Sequence, residues 1–385
     1  MKGHWWSVAV GCLIVVGALG GVPSAWAAPG DIVRTLHNPG AGDSFGYAVG
    51  SADGKVLVGD PRASTTYVFE GQTGLLLHTL QGGSWFGFCV TGAGNNALVG
   101  AIYSNEASIH DVDSGQLVRK WSGLGQQNFG YSVGALGSNA IVGATNQDGA
   151  GEAYLFDSQT GGLLATFHDP NPGAGGCFGY SVAGVGNKVV VGAPYLGSVY
   201  LFDSQTGSLL GSLANPNPGT GNYFGLSVAA VGGKVVVGTP LEESGATPGG
   251  AAYVFDAATG SLLQTLTNPN ASVGDQFGSR VAGVDGNALV GAPLDDTAGT
   301  DAGAAYLFDV SSGDPLLSLY NPAPAEGGLF GQAVAGLGKD IIVGYGTTGR
   351  STVYLFEGVP EPATLSLLAL GGALALLRRR SAGSS

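Results

Sequence analysis

Residues 178–219 read FGYSVAGVGNKVVVGAPYLGSVYLFDSQTGSLLGSLANPNPG. The stretch holds four short runs, SVAGV, KVVVGA, SVYLFD and SLLGSL, each bounded by glycine, asparagine or aspartate. Runs rich in valine and aromatic residues read as strands, and such boundaries read as turns. The joints Gly-Asn-Lys and Asp-x-x-Thr-Gly are short enough for hairpins, so neighbouring runs pair antiparallel. Val189, Val190 and Val191 make the second run apolar on both faces, as in a strand covered on both sides.

Phe-Gly recurs at Phe45, Phe86, Phe129, Phe178, Phe224, Phe277 and Phe330, at spacings of 41 to 53 residues. Four strands in about 40–50 residues is the period of a propeller blade. The seventh unit stops after its third strand, at Tyr354-Leu355-Phe356-Glu357. Its fourth strand is found at the other end. Gly30 to Pro39 (GDIVRTLHNP) matches Gly260 to Pro269 (GSLLQTLTNP), a fourth strand with its Asn-Pro turn. The expectation is an all-β fold: a seven-bladed β-propeller of four-stranded antiparallel blades over residues 28–358. The N-terminal strand, residues 31–36, completes blade 7 and removes the open edges.

Composition agrees. Glycine supplies 71 of 385 residues, far above the usual share of about 7%. The glycines follow no every-third-residue period, which excludes collagen. Hydrophobic residues at 44% are enough to bury a core, which argues against disorder. Frequent glycine argues against a helical enzyme, since each costs a helix about 1 kcal/mol. Residues 29–358 hold 10 Lys and Arg against 26 Asp and Glu. That balance excludes a nucleic-acid partner, because no basic surface faces the phosphates. Cys89 and Cys177, in unrelated repeat positions, make no disulfide framework.

Both ends point to export. Residues 1–27 read as a signal peptide, with Lys2, an apolar stretch from Trp5 to Val22, and Ala25-Trp26-Ala27 as a cleavage site. Gly11-Cys12 is a poorer lipoprotein signal, because the apolar run continues past Cys12. At the other end Pro360-Glu361-Pro362 precedes an apolar run from Ala363 to Leu377 and then Arg378-Arg379-Arg380. A span of that length is short for a transmembrane helix, and the arginines would stay on the cytoplasmic side. The order of these three parts over residues 359–380, before a tail at 381–385, resembles the PEP-CTERM sorting signal of Gram-negative bacteria. The resemblance implies an exosortase-type processing enzyme as partner. It also implies transient inner-membrane anchoring through a short C-terminal helix, and display at the cell surface or in the extracellular matrix. A plain C-terminal anchor is the simpler alternative.

The opening Phe-Gly, with Gly192-Ala193-Pro194 and Gly291-Ala292-Pro293 at the ends of second strands and Gly59-Asp60-Pro61 and Gly238-Thr239-Pro240 as variants, resembles FG-GAP repeats. These form the seven-bladed propeller of integrin α-subunit-like proteins. Members commonly carry an Asp-rich calcium loop between strands 1 and 2. This sequence has only tight joints such as Asp285-Gly286-Asn287 there, too few oxygens for the 6–8 ligands calcium takes. No metal and no cofactor is therefore expected. Leu201–Leu210 (LFDSQTGSLL) and Val254–Leu263 are also similar to the repeat of quinoprotein-type propellers, but Leu213, Leu266 and Leu319 sit where that repeat places tryptophan.

Catalytic motifs dissolve into the repeat. Gly130-Tyr131-Ser132-Val133-Gly134 fits the nucleophile elbow of serine hydrolases, yet the serine slot holds Ala48, Cys89, Ser132, Ser181, Ser227, Arg280 and Ala333 along the seven units. His37 and His168 occupy the slot of Ala214, Thr267 and Tyr320, and no histidine pairs with another at metal spacing. Asp111 is the ordinary turn aspartate, equivalent to Asp157 and Asp203. No catalytic residue is assigned.

Variable loops on a rigid scaffold are where binding sits. The longest strand 2–3 loops, Leu241–Gly250 and Leu294–Gly303, place Glu242, Glu243, Asp295, Asp296 and Asp301 on one rim. That rim is either a candidate site for a glycan or cation, or a solvated acidic surface. The function expected is an exported, non-catalytic binding or adhesion propeller associated with extracellular polysaccharide, other cell-surface glycans or matrix. The alternatives are a propeller-scaffold enzyme acting on extracellular glycans, or a purely structural surface component.

Overall fold

A computed structural model describes residues 27–123, 127–146, 150–172, 175–219, 221–242, 249–324, 326–347 and 350–359. These residues form 28 strands, β1 to β28 in chain order, in seven antiparallel sheets of four. Blades 1 to 6 cover residues 48–81, 86–122, 129–168, 181–213, 227–267 and 280–320. In blade 4 the strands are Ser181–Val185, Lys188–Ala193, Ser198–Asp203 and Leu209–Leu213, within a residue of the four runs that define the repeat.

Blade 7 joins the chain ends. Its strands are β26 (Ala333–Leu337), β27 (Asp340–Thr347) and β28 (Arg350–Phe356), with β1 (Ile32–His37) as the fourth. β1 runs antiparallel to β28, with Thr35 opposite Tyr354 and Leu36 opposite Val353. The ladder continues past the strand, where Gly30 N–H donates to Glu357 O at 2.8 Å and Glu357 N–H to Asp31 O at 2.9 Å. The closure expected from the N-terminal match is what the structure shows.

The core is divided between the blades. Seven hydrophobic clusters fill the seven interfaces. Alternate residues of one second strand serve different clusters: Val189 and Val191 face blade 3, and Val190 faces blade 5. The Phe-Gly phenylalanines are the anchors, each at most 1% exposed. Each packs on the third strand of its own blade, as Phe178 does on Tyr200 and, edge-on, on Phe202.

Two glycine slots interlock the blades. The Phe-Gly glycine has φ between 84° and 93° in all seven units, a region only glycine enters freely. That turn aims its carbonyl at the preceding blade, against the second-strand glycine (Gly59, Gly100, Gly143, Gly192, Gly238, Gly291 or Gly344). A Cβ at any of the seven would lie within 2.5 Å of that oxygen. The contact runs unbroken round the ring, Gly344 of blade 7 meeting Gly46 of blade 1. The repeat motif therefore names the two halves of one backbone contact.

The presumed leader at 1–27 lies, except for residue 27, outside the described residues, as do Pro360, Glu361, Pro362 and the apolar run after them. Among the described residues no helix is long and apolar enough to cross a membrane.

Candidate functional site at the channel mouth

The seven innermost strands surround a central channel whose cavity measures about 500 Å³. At the end where the blade-to-blade connections enter, the residue after each Phe-Gly is Tyr47, Phe88, Tyr131 and Tyr180 in blades 1 to 4. In blades 5 to 7 it is Leu226, Ser279 and Gln332. The four aromatic rings form a continuous arc, with centroids 5.5 Å apart for Tyr47 and Phe88, 5.3 Å for Phe88 and Tyr131, and 4.8 Å for Tyr131 and Tyr180.

The arc extends outward through the 2–3 loops. One-turn 3-10 helices there, Ile102–Ser104 and Pro194–Leu196, carry Tyr103, 63% exposed, and Tyr195, 48% exposed. Trp85 links Phe88 to Tyr103, with centroids 6.1 Å and 4.8 Å away. Tyr195 lies 6.5 Å from Tyr180 and 5.2 Å from Tyr223. Trp85 and Tyr223 precede Phe-Gly and hold φ of 62° and 56°, so the sharp entry turn sets their positions. Eight aromatic side chains thus follow one half of the mouth.

Among the described residues Arg280 is the only charged side chain lining the channel. It occupies the slot that elsewhere holds alanine, cysteine or serine. Its Nη1 donates to Ser279 O at 2.9 Å. Burial pushes the phenol pKa of Tyr47 and Tyr131 up, and the nearby Arg280 charge offsets part of the push. The Tyr131 hydroxyl also hydrogen-bonds with Tyr180. Burial raises the Cys89 thiol to about 12; its S–H donates to Gly130 O at 3.2 Å, and no reactive thiolate forms there.

The five acids expected on a common rim divide. Glu242 and Asp295 are buried, at 1% and 0% exposed. Glu242 accepts from Tyr253 OH at 2.8 Å and from Asn217 Nδ2 at 2.8 Å. Asp295 accepts from Tyr306 OH at 2.6 Å and from Asn268 Nδ2 at 2.9 Å. Each pins its loop to a third-strand tyrosine of its own blade and to the Asn-Pro turn that follows the preceding blade. Placing them on an exposed rim is therefore corrected: the tyrosine hydroxyls draw both carboxylates inward, because a buried acid needs donors. Asp296 is exposed and Asp301 half-buried, joined by Asp301 N–H donating to Asp296 Oδ1 at 2.8 Å. Glu243 lies outside the described residues. Among these, no three acidic, histidine or cysteine side chains converge to hold a metal.

Asn268 also bridges Asp295 to Asp275, donating to its Oδ2 at 2.7 Å. Burial, with Asp295 nearby, raises the Asp275 carboxyl to about 6. A carboxyl whose folded pKa lies above its unfolded value stabilises the fold in its protonated form. That contribution is complete below about pH 4 and is lost as pH rises to about 6. Asp275→Asn is expected to melt above the wild type at pH 7.5, by about 1–2 kcal/mol equivalent, and to lose that advantage by pH 4. Parallel melting curves across this range would contradict the assignment.

The apparent nucleophile elbow is part of the blade interlock. Ser132 Oγ donates to Gly179 O at 2.7 Å, as Ser181 does to Gly225 O at 2.8 Å and Ser227 to Gly278 O at 2.9 Å. His110 is buried against Phe86 and is lowered to about 4 by burial. His168 pairs with Glu152 at 3.0 Å and His78 with Asp113 O at 2.8 Å. Asp111, Asp157, Asp203 and Asp256 cap the 3–4 turns; the Ser114 hydroxyl and backbone N–H hold the pKa of Asp111 below the usual range, and backbone N–H groups first, with a threonine hydroxyl, do so for the other three.

The aromatic arc and Arg280 were missed in the sequence, although a signal exists. The third letter of the repeat reads Tyr, Phe, Tyr, Tyr, Leu, Ser, Gln along the units, and the fourth is charged once.

The FG-GAP repeat family matches residues 211–255 and 261–308, and the PEP-CTERM protein-sorting motif matches residues 358–381. No individual curated protein matches the chain. The matched repeats span strands of blades 4 to 6, and the other units repeat the same interlock. The sorting motif implies recognition by an exosortase. The chain is thus a seven-bladed propeller that carries FG-GAP repeats and a C-terminal PEP-CTERM sorting motif, the combination of an exported, cell-surface protein.

Proposed function

We propose that the channel mouth is a carbohydrate-binding face, and that the protein holds extracellular polysaccharide or matrix glycan without cleaving it. The aromatic arc carries this reading. Rings with one apolar face and a polar tip offer sugar C–H faces a platform and sugar hydroxyls a partner. Seven of the eight rings, all but Phe88, have a polar tip, and Tyr103 and Tyr195 stand exposed on an acidic domain, a costly surface unless something covers it. The platform is built on strand ends and one-turn helices, so little order has to be created on binding. Asp296 and Asp301 lie on the strand 2–3 loop of blade 6, at the same end of the ring, and supply acceptors for hydroxyls of a longer chain. Among the described residues no carboxylate pair for acid–base cleavage faces the channel, which favours holding over hydrolysis.

A glycan array followed by calorimetry on the best saccharide tests it. Tyr131→Ala with Tyr180→Ala is expected to weaken binding by tenfold or more with the propeller still folded. Replacing Asp296 and Asp301 by Asn is expected to change it several-fold at most. Binding untouched by loss of the two tyrosines would remove the site.

A further inference from the structure

We infer that the site selects an anionic sugar, and that Arg280 is the residue that selects it; this rests on the carbohydrate reading above. Three observations carry the inference. Among the described residues Arg280 is the single charged side chain lining the channel, in a domain where acids outnumber bases 26 to 10. A cation in such a chain has many carboxylates to pair with, yet none of the described ones lines this cavity. Its one hydrogen bond among the described residues is to the carbonyl of the adjacent Ser279, which leaves most guanidinium N–H groups for a ligand. Third, the fold does not require it: the slot is filled by Ser132, Ser181 and Ser227 in blades 3 to 5, where a hydroxyl completes the blade contact.

The complementary group is planar, anionic and small enough to enter beside a pyranose ring. A sugar carboxylate, as in a uronic acid, meets all three conditions, since a guanidinium fork binds carboxylate through two parallel hydrogen bonds. The hydroxyls of Tyr47 and Tyr131 lie close enough to Arg280 to feel its charge and can share a bound anion with it. The aromatic arc would then take the neighbouring rings, so that one chain is gripped by its charge in the channel and by its faces along blades 1 to 4.

The test compares oligogalacturonate, oligomannuronate and hyaluronan fragments with their carboxyl-reduced neutral counterparts, using the wild type and Arg280→Ser, which copies the slot of blades 3 to 5. The wild type is expected to bind at least one carboxylated oligosaccharide tenfold or more tighter than its reduced form. Arg280→Ser is expected to abolish the difference while keeping the weak neutral binding and the melting temperature. Equal affinity for both forms, or a preference that survives Arg280→Ser, overturns the role of Arg280 and leaves the carbohydrate reading standing. Binding of none of these saccharides, or tighter binding of polyglutamate than of any of them, overturns both.

Discussion

Deleting residues 28–37 is expected to lower the melting temperature by about 10 °C or more and to expose a sheet edge that drives the protein into dimers and larger species. The deletion removes β1 and with it Val33 and Leu36, buried at 6% and 2% exposure among Phe45, Val353 and Leu355. Two such side chains are worth about 1.5–3 kcal/mol each. The ladder to β28 is lost as well, leaving a row of unpaired backbone groups on an exposed edge. Calorimetry and light scattering read the two effects. A truncated chain that stays monomeric and melts with the full one would show that the ring does not depend on its closing strand.

Gly291→Ala is expected to be severely destabilising, as one of seven equivalent motif glycines. Its Cβ would press on the carbonyl oxygen, carbonyl carbon and Cα of Gly331 in the next blade, all backbone and none able to rotate away. Blades 6 and 7 would have to separate, at a cost of about 3 kcal/mol or more. Gly286→Ala in the same blade is the control. Gly286 has φ of 79° with nothing within 4 Å of its Cβ position, so it bears only the strain of a left-handed alanine, about 1–2 kcal/mol. Denaturant melts of the two variants separate crowding from conformation. Equal losses would mean that the motif glycine serves the chain's own geometry and not the blade contact.

The blades were legible because each level of the sequence repeats the same information. Val189 to Val191 show a strand covered twice, Asp203 marks a turn, and the resemblance of Gly30–Pro39 to Gly260–Pro269 closes the ring. What the sequence hid lies across blades or across loops. Whether Tyr131 faces the channel depends on the Phe-Gly turn that precedes it, and its partner Tyr180 comes from another unit. Glu242 and Asp295 look like loop acids because their neighbours in sequence are polar. Their true partners, Tyr253 and Tyr306, stand eleven residues on, in a strand where the tyrosine reads as core. Arg280 reads in the sequence only as one more occupant of the serine slot; the closed ring makes that strand the wall of a cavity.

The closing strand also determines how the protein resists force. A pull applied at residue 359 enters the propeller through β28, which is hydrogen-bonded on both sides, to β27 and to β1. Without β1 the last strand would be an edge, held by a single ladder. Placed between two ladders loaded in parallel, β28 can leave only by shearing both. A chain dragged by whatever it holds at the channel mouth, and secured at its C-terminal side, would therefore carry the strain along the doubly bonded strand of the ring.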